Sequence, residues 1–305
     1  MSNTISFAEI LQKGLDKAMV AAATSGWMEA NAGQVIYNGG NTIKIPKLSM
    51  DGLGEYGRTD GTGYTNGNVN FGYETKTMTQ DRSRAFTFDA MDVDETNFEL
   101  NAPVVLSEFQ RTKVVPELDA YRYSSLATQF ITAERVSYGY TPTASTIMAT
   151  LKTQIDDVKD AVGDVELVCS ISRTALSMLE QGTRLEKVLF NNGVIETEVS
   201  SIDGVALLPV PSARMKTAYT LYDGKTAGQE VGGFVAAETA KTVNWLIMPR
   251  TVPIAISKQD VPRIFDPTVN QNADAWKVTY RKYHDIWVMD NKLASCFVSI
   301  KEAQA

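Results

Sequence analysis

The chain is poor in the residues that carry most catalysis and metal binding. Its 305 residues include one histidine, His284, and two cysteines, Cys169 and Cys296. One imidazole and two distant thiols cannot build a zinc site of the usual kind. Asp285 follows His284 directly, and neighbours in a strand point to opposite faces, which excludes a His–Asp dyad. Both cysteines lie inside apolar runs (LVCSI and ASCFV), as buried reduced thiols do, so no disulfide framework is expected. No run of about 18 uninterrupted apolar residues exists, and none is expected to cross a membrane. Near the start, Glu9, Lys13, Asp16 and Lys17 break up the apolar stretch a signal peptide needs, and a cytoplasmic origin is the expectation. Positive charge is also scarce, with 29 Lys and Arg against 36 Asp and Glu and a net charge of −7. Counterion release needs a basic face, so a dedicated nucleic-acid grip or an anionic membrane surface is disfavoured.

What is present is ordinary globular composition, 44% hydrophobic and 21% charged, in one long chain without repeats or low-complexity tails. No glycine falls between Gly72 and Gly139, and the stretch 97–133 inside that gap has the strongest helical character. Asn101 and Pro103 suit a helix start. Leu118, Tyr121, Arg122, Ser125, Leu126, Gln129 and Phe130 recur at helical spacing, giving an amphipathic face. Pro116 removes a main-chain hydrogen bond and is expected to kink the helix or split it. The spacing predicts a spine on which the rest is hung.

Elsewhere, Ser6 and Glu9 form a capping box ahead of a helix of about 18 residues with Phe7, Ile10, Leu11, Leu15, Ala18, Met19 and Ala22 on one face. Residues 41–50 alternate like a strand with Pro46 marking an edge. Seven glycines lie between Gly52 and Gly72, with Asp60-Gly61 and Asn66-Gly67 as turn signals. Residues 73–91 then alternate again, so 41–91 reads as one long β-hairpin, an element marginal by itself in water. Ile147, Leu151, Ile155, Val158 and Val162 predict an amphipathic helix closed by Gly163. Residues 165–171, a short helix capped by Ser172 and closed by Gly182, a tract ending at Pro209, then 242–249 and 252–257, alternate as in a compact α/β lobe. Residues 276–290 and 292–301 read as two return strands beside the spine.

The chemistry-bearing patterns are weak. Gly52-Leu-Gly-Glu-Tyr-Gly57 matches the dinucleotide spacing, but it leads into more Gly, Thr and Asn rather than into a helix, so no cofactor site is expected. Asp89, Asp92, Asp94 and Glu95 admit three readings: a charged ramp before the spine helix, a hard-cation site without EF-hand spacing, or an inter-subunit partner for Arg or Lys. Ser172-Arg-Thr is a helix cap with no general base near it in sequence. An enzyme is not expected.

The Gly-rich β-hairpin, the transition Phe86-Thr-Phe-Asp-Ala-Met-Asp92-Val-Asp-Glu-Thr96, and Phe109-Gln-Arg-Thr-Lys-Val-Val-Pro116-Glu-Leu-Asp-Ala-Tyr-Arg122 together resemble the major capsid proteins of tailed bacteriophages. Encapsulin shell proteins share that fold. The resemblance implies an α+β capsid fold: N-terminal arm (1–39), extended loop (40–96), spine helix and peripheral domain (97–142), axial α/β domain (143–262) and peripheral return strands (263–305). It further implies a subunit of an icosahedral head that self-assembles into pentamers and hexamers around double-stranded DNA. Scaffolding, portal and decoration proteins are the implied partners, with no membrane. The short stretch ahead of the loop implies a scaffold on a separate chain. Inter-subunit contact candidates are Arg58, Tyr64, Lys76, Arg82, Arg84, Asp92, Asp94 and Glu95. Rival expectations are an encapsulin-like compartment, a nucleotide-dependent enzyme using residues 52–57, and a surface-displayed adhesin.

Overall fold

The computed structural model describes residues 23–35, 40–58, 63–91, 102–163, 165–182, 185–191, 196–270 and 273–304. The expected N-terminal helix, the Asn101 cap and the 92–95 cluster lie outside them. The described residues fall into two compact units, Gly33–Met78 and the remainder.

The larger unit is built around one helical run. Helix α1 (Ala102–Phe109) passes into a π-helical stretch, Gln110–Val114, and on into α2 (Val115–Thr132). Where Pro116 is expected to kink or split the helix, the structure has this widened turn. Pro116 has no N–H, and the Val115 N–H instead reaches back to the Gln110 carbonyl, while Thr112 Oγ1 donates to the Glu108 carbonyl at 2.7 Å. The ladder is re-registered locally and the helix continues.

Strand β3 (Gln80–Asp89) belongs to this unit, with β4 (Val136–Ser137), β5 (Leu167–Ser172), β6 (Glu186–Asn191), β7 (Glu196–Ile202), β8 (Val205–Val210), β9 (Tyr219–Leu221), β10 (Phe234–Ala236), β11 (Val243–Pro249), β12 (Ile254–Phe265), β13 (Ala275–Trp287) and β14 (Phe297–Ile300). Seven of them form a sheet in the order β4-β14-β11-β5-β8-β7-β6, and three form a second sheet in the order β12-β13-β3.

Period-two alternation sorts the seven-stranded sheet into two cores. Val168, Leu208, Leu246, Met248 and Val298 face Tyr123, Leu126 and Phe130 of α2, with Trp27 and Met28 from the preceding segment. Cys169, Ile171, Leu207, Trp245 and Ile247 face Ile147, Leu151, Ile155 and Val158 of α3 (Ile147–Val162) and Leu176 and Leu179 of α4 (Arg173–Gly182). β5 and β11 are therefore buried on both faces, which is why their sequences are continuous apolar runs. The Trp245 indole N–H, buried in this second core, donates to Gln154 Oε1 at 2.7 Å. Gly163 ends α3 at φ +77°, a region few L side chains adopt. Gly182 ends α4 where a Cβ would lie 2.2 Å from the Ala144 carbonyl oxygen.

Three expectations are corrected. Residues 73–91 are two strands: the first pairs within the smaller unit, and β3 pairs along β13 from Ala275↔Asp89 to His284↔Gln80. Residues 252–257 leave the α/β sheet and pair with β13 from Ile254↔Trp287 onward. Residues Asp290–Ser295 form a 3-10 helix, and only β14 continues as strand, inside the seven-stranded sheet, where Val298 shares a core with Phe130 of the spine.

Candidate subunit interface

The smaller unit is a two-stranded antiparallel ribbon of β1 (Thr42–Met50) and β2 (Val69–Thr77), registered from Thr42↔Thr77 to Met50↔Val69. Opposed residues share a face. Pro46↔Tyr73, Leu48↔Phe71 and Met50↔Val69 therefore make an apolar ladder, and Lys47↔Gly72 and Ser49↔Asn70 make a polar opposite face. The ladder is uncovered: Leu48 is 51% exposed, Met50 66%, Val69 66%, Phe71 62% and Tyr73 50%. The Phe71 and Tyr73 rings meet edge-on at 5.2 Å. Nearer the strand ends, Ile43 and Ile45 lie on the face opposite the ladder and are buried.

Past Met50 the ribbon narrows into an irregular tip. Asp51 Oδ2 accepts the Asn68 N–H at 2.7 Å, and Gly57 and Gly63 form an isolated antiparallel bridge. Tyr56 and Tyr64 pack edge-to-face at 5.1 Å, with Tyr64 87% and Leu53 fully exposed. No helix starts at Gly52, Gly54 or Gly57, and a Cβ on Gly54 would crowd Thr65 at 3.0 Å. These glycines shape a tight tip and offer no helix N-terminus to a pyrophosphate.

The eight contact candidates separate into groups. Arg58 and Tyr64 sit exposed at the tip, and Lys76 pairs with Glu74 on β2. Arg82 and Arg84, on β3, are engaged within the larger unit. Arg82 Nε donates to Glu117 Oε1 at 2.7 Å, and Arg84 donates through both terminal nitrogens to the Glu230 carbonyl at 3.2 Å. Asp92, Asp94 and Glu95 lie outside the described residues.

Sequence reasoning missed the polar anchor under the spine. Asp119 is completely buried and accepts from Thr24 N–H, Thr24 Oγ1, Ser25 N–H, Ser25 Oγ and Arg214 Nη1, at 2.6–3.1 Å. One turn on, the buried Arg122 donates to the Ser25 carbonyl at 3.1 Å and to Glu29 Oε1 at 2.5 Å. The pair clamps residues 24–29 onto α2. The available signal was the i, i+3 placing of Asp119 and Arg122 on an otherwise apolar helix face.

His284 and Asp285 also have structural partners. Asp285 accepts from Thr79 N–H (2.9 Å), Thr79 Oγ1 (3.0 Å) and Tyr121 OH (2.7 Å). His284 is buried against the Tyr121 ring, and burial, with Arg122, Lys282 and Arg82 near it, holds its imidazole well below the usual range and so uncharged. Burial pushes the Cys296 thiol up to about 12 and the Cys169 thiol higher still, which leaves both unreactive. Among the described residues no three His, Cys, Asp or Glu side chains gather as a metal site requires, and no helix is long and apolar enough to cross a membrane.

No protein-family model and no curated protein matches the chain. Solved structures do. The mature capsid of bacteriophage PhiM1 superposes with TM-score 0.57 at 12% identity, covering 87% of this chain and 83% of that one. The capsid of cyanophage P-SCSP1u gives TM-score 0.57 at 9% identity, over 87% and 84% of the two chains. A virus-like particle from Pyrococcus furiosus gives 0.51 at 9% identity, over 94% and 98%. The chain has the α+β fold shared by these phage capsid and virus-like-particle subunits.

Proposed function

We propose that the chain is a structural subunit of a closed icosahedral shell, the head of a tailed bacteriophage, and that its β1–β2 ribbon is completed by a neighbouring copy. One observation carries this reading: a two-stranded ribbon, too small to be stable alone, holds one face of paired apolar side chains open to solvent in a chain with a capsid fold. Covering a half-exposed side chain of this size gains on the order of 1 kcal/mol. A closed shell repeats that contact at every subunit by symmetry. The role is structural rather than catalytic.

In this reading the larger unit supplies the peripheral and axial parts of the capsomer. The β1–β2 ribbon serves as the extended loop, the helical run from Ala102 as the spine, the seven-stranded sheet with α3 and α4 as the axial part, and the β12-β13-β3 sheet as the peripheral part. Arg58, Tyr64 and Lys76 contact the neighbour directly. The shell encloses double-stranded DNA without gripping it, consistent with the net charge of −7. Assembly takes place in a bacterial cytoplasm with a scaffold, a portal and head-completion proteins.

The likeness to the Pyrococcus furiosus particle favours one second reading, an encapsulin-like compartment with protein cargo. Expression of the chain with its genomic neighbours, followed by negative-stain microscopy and analysis of shell contents, tests both. Shells enclosing DNA support the phage head. Shells enclosing one protein species support the compartment, and a chain that never assembles under any of these conditions contradicts both.

A further inference from the structure

The larger unit contains a cavity of about 640 Å³ that the shell reading does not use. It lies between the β3–β13 face, the π-helical turn of the spine, and the 222–233 loop. Its floor is aromatic and aliphatic: Phe86, Phe109 and Tyr280 interlock edge-on at 4.9 and 6.0 Å, and Val104, Val105 and Val231 extend the apolar lining. Three observations mark it as more than a packing gap. Its volume is in the range of small-ligand pockets, roughly 300–1,000 Å³. One wall is Thr112–Val114 of the π-helical turn, a geometry concentrated at functional sites. Its charges do not balance.

Each carboxylate on the wall already has a donor. Glu117 is held by Arg82, Glu108 by Arg111 at 2.8 Å, and Asp223 by the Lys225 and Thr226 N–H groups and Thr226 Oγ1. Lys282 is matched by Asp260. Arg84 bonds only to a carbonyl, and Lys113 has no anionic partner among the described residues. His284, also on the wall, is neutral. Asp223 keeps its negative charge, because its donors are neutral N–H and O–H groups. The lining therefore pairs an apolar floor with an excess of one positive charge, which selects for a molecule with a hydrophobic body and a negative head.

We propose that this cavity binds a small amphiphilic anion, an elongated apolar chain ending in a carboxylate, with Arg84 and Lys113 at the head group and Phe86, Phe109 and Val105 along the body. The site lies wholly within the larger unit and does not depend on the shell reading.

Calorimetric titration of the full chain with sodium dodecanoate, kept below its micellar concentration, tests the proposal. Dodecanoate should saturate at one per chain, and dodecyltrimethylammonium, with the same tail and the opposite charge, should not bind measurably. Lys113→Glu, an exposed substitution, should weaken dodecanoate at least ~10-fold with unchanged melting, the size of a lost charge-assisted contact. Val105→Trp should block binding, and if that variant misfolds, the head-group comparison still decides. Equal binding of the cationic amphiphile, or full affinity in Lys113→Glu, would overturn the assignment.

Discussion

The two units solve the problem of burying apolar surface in opposite ways. In the larger unit, the β5 and β11 strands are covered on both faces by their own chain, with Trp245, Leu246, Ile247 and Met248 all fully buried. In the β1–β2 ribbon, side chains of the same kind, Leu48, Met50, Val69 and Phe71, stand half exposed or more. Composition alone does not separate the two. What differs is the number of layers: a sheet between α2 on one side and α3 and α4 on the other closes on itself, and a two-stranded ribbon has nothing of that kind within its own unit. The lesson is that a folded chain can be finished in one region and unfinished in another, and that the unfinished region is where a partner is expected.

That contrast can be broken most severely in the core. Leu151→Asp puts an unpaired charge at a site with no exposure and should cost several kcal/mol, enough to abolish cooperative melting. Wild-type-like thermal denaturation by circular dichroism would mean α3 does not close the second core. Next comes Asp119→Ala, which leaves the Arg214 guanidinium and the Thr24 and Ser25 N–H and hydroxyl groups without their acceptor. A loss of about 3–5 kcal/mol is expected by urea denaturation, as for removal of one partner of a buried ion pair. A change under 1 kcal/mol would show that the clamp on residues 24–29 carries no weight.

A smaller effect should appear in acid. Burial pushes the Glu29 carboxyl up, but the Arg122 guanidinium, the Lys282 charge and the Arg122 hydrogen bond outweigh it and hold the group below its ordinary 4.5. A carboxyl whose folded value is depressed binds its proton more readily in the unfolded chain. Its stabilising share is therefore complete above pH 4.5 and is lost as pH falls through the folded value. Glu29→Gln should flatten the stability profile in that acid window and leave its slope near neutrality unchanged. An identical acid slope in the variant would remove Glu29 from the account. The smallest effect on stability belongs to the ribbon: Leu48→Ser with Phe71→Ser should move the melting temperature little, since exposed sites change stability by about 0.5 kcal/mol or less, and yet should stop assembly.

Much of this body was legible before any coordinates. The 4, 4, 3, 4 spacing from Ile147 to Val162, the closing Gly163 and the Ser172 cap, whose Oγ accepts the Ala175 N–H at 3.3 Å, all stand where local physics puts them. Pro116 announced a disturbance, though whether a helix splits or widens at a proline depends on how neighbouring carbonyls are rescued. The break between β2 and β3 was not legible. Met78 and Thr79 carry no turn signal, and the chain changes partner there because Asp285, some 200 residues away in sequence, captures the Thr79 N–H and hydroxyl. The Asp119 anchor was hidden for the same reason, since its five donors come from Thr24, Ser25 and Arg214. The exposed ladder was half visible: alternation marked the strands, but only the register shows that Pro46, Leu48 and Met50 meet Tyr73, Phe71 and Val69 on one face.

The most direct measurement is hydrogen exchange, followed by mass spectrometry, on the full chain before and after shell assembly. Amides of 47–50 and 69–73 should exchange quickly in the unassembled chain and become strongly protected in shells, with those of 167–172 and 243–248 slow in both states. Ribbon amides equally protected in the free chain, or equally fast in the shell, would contradict the account.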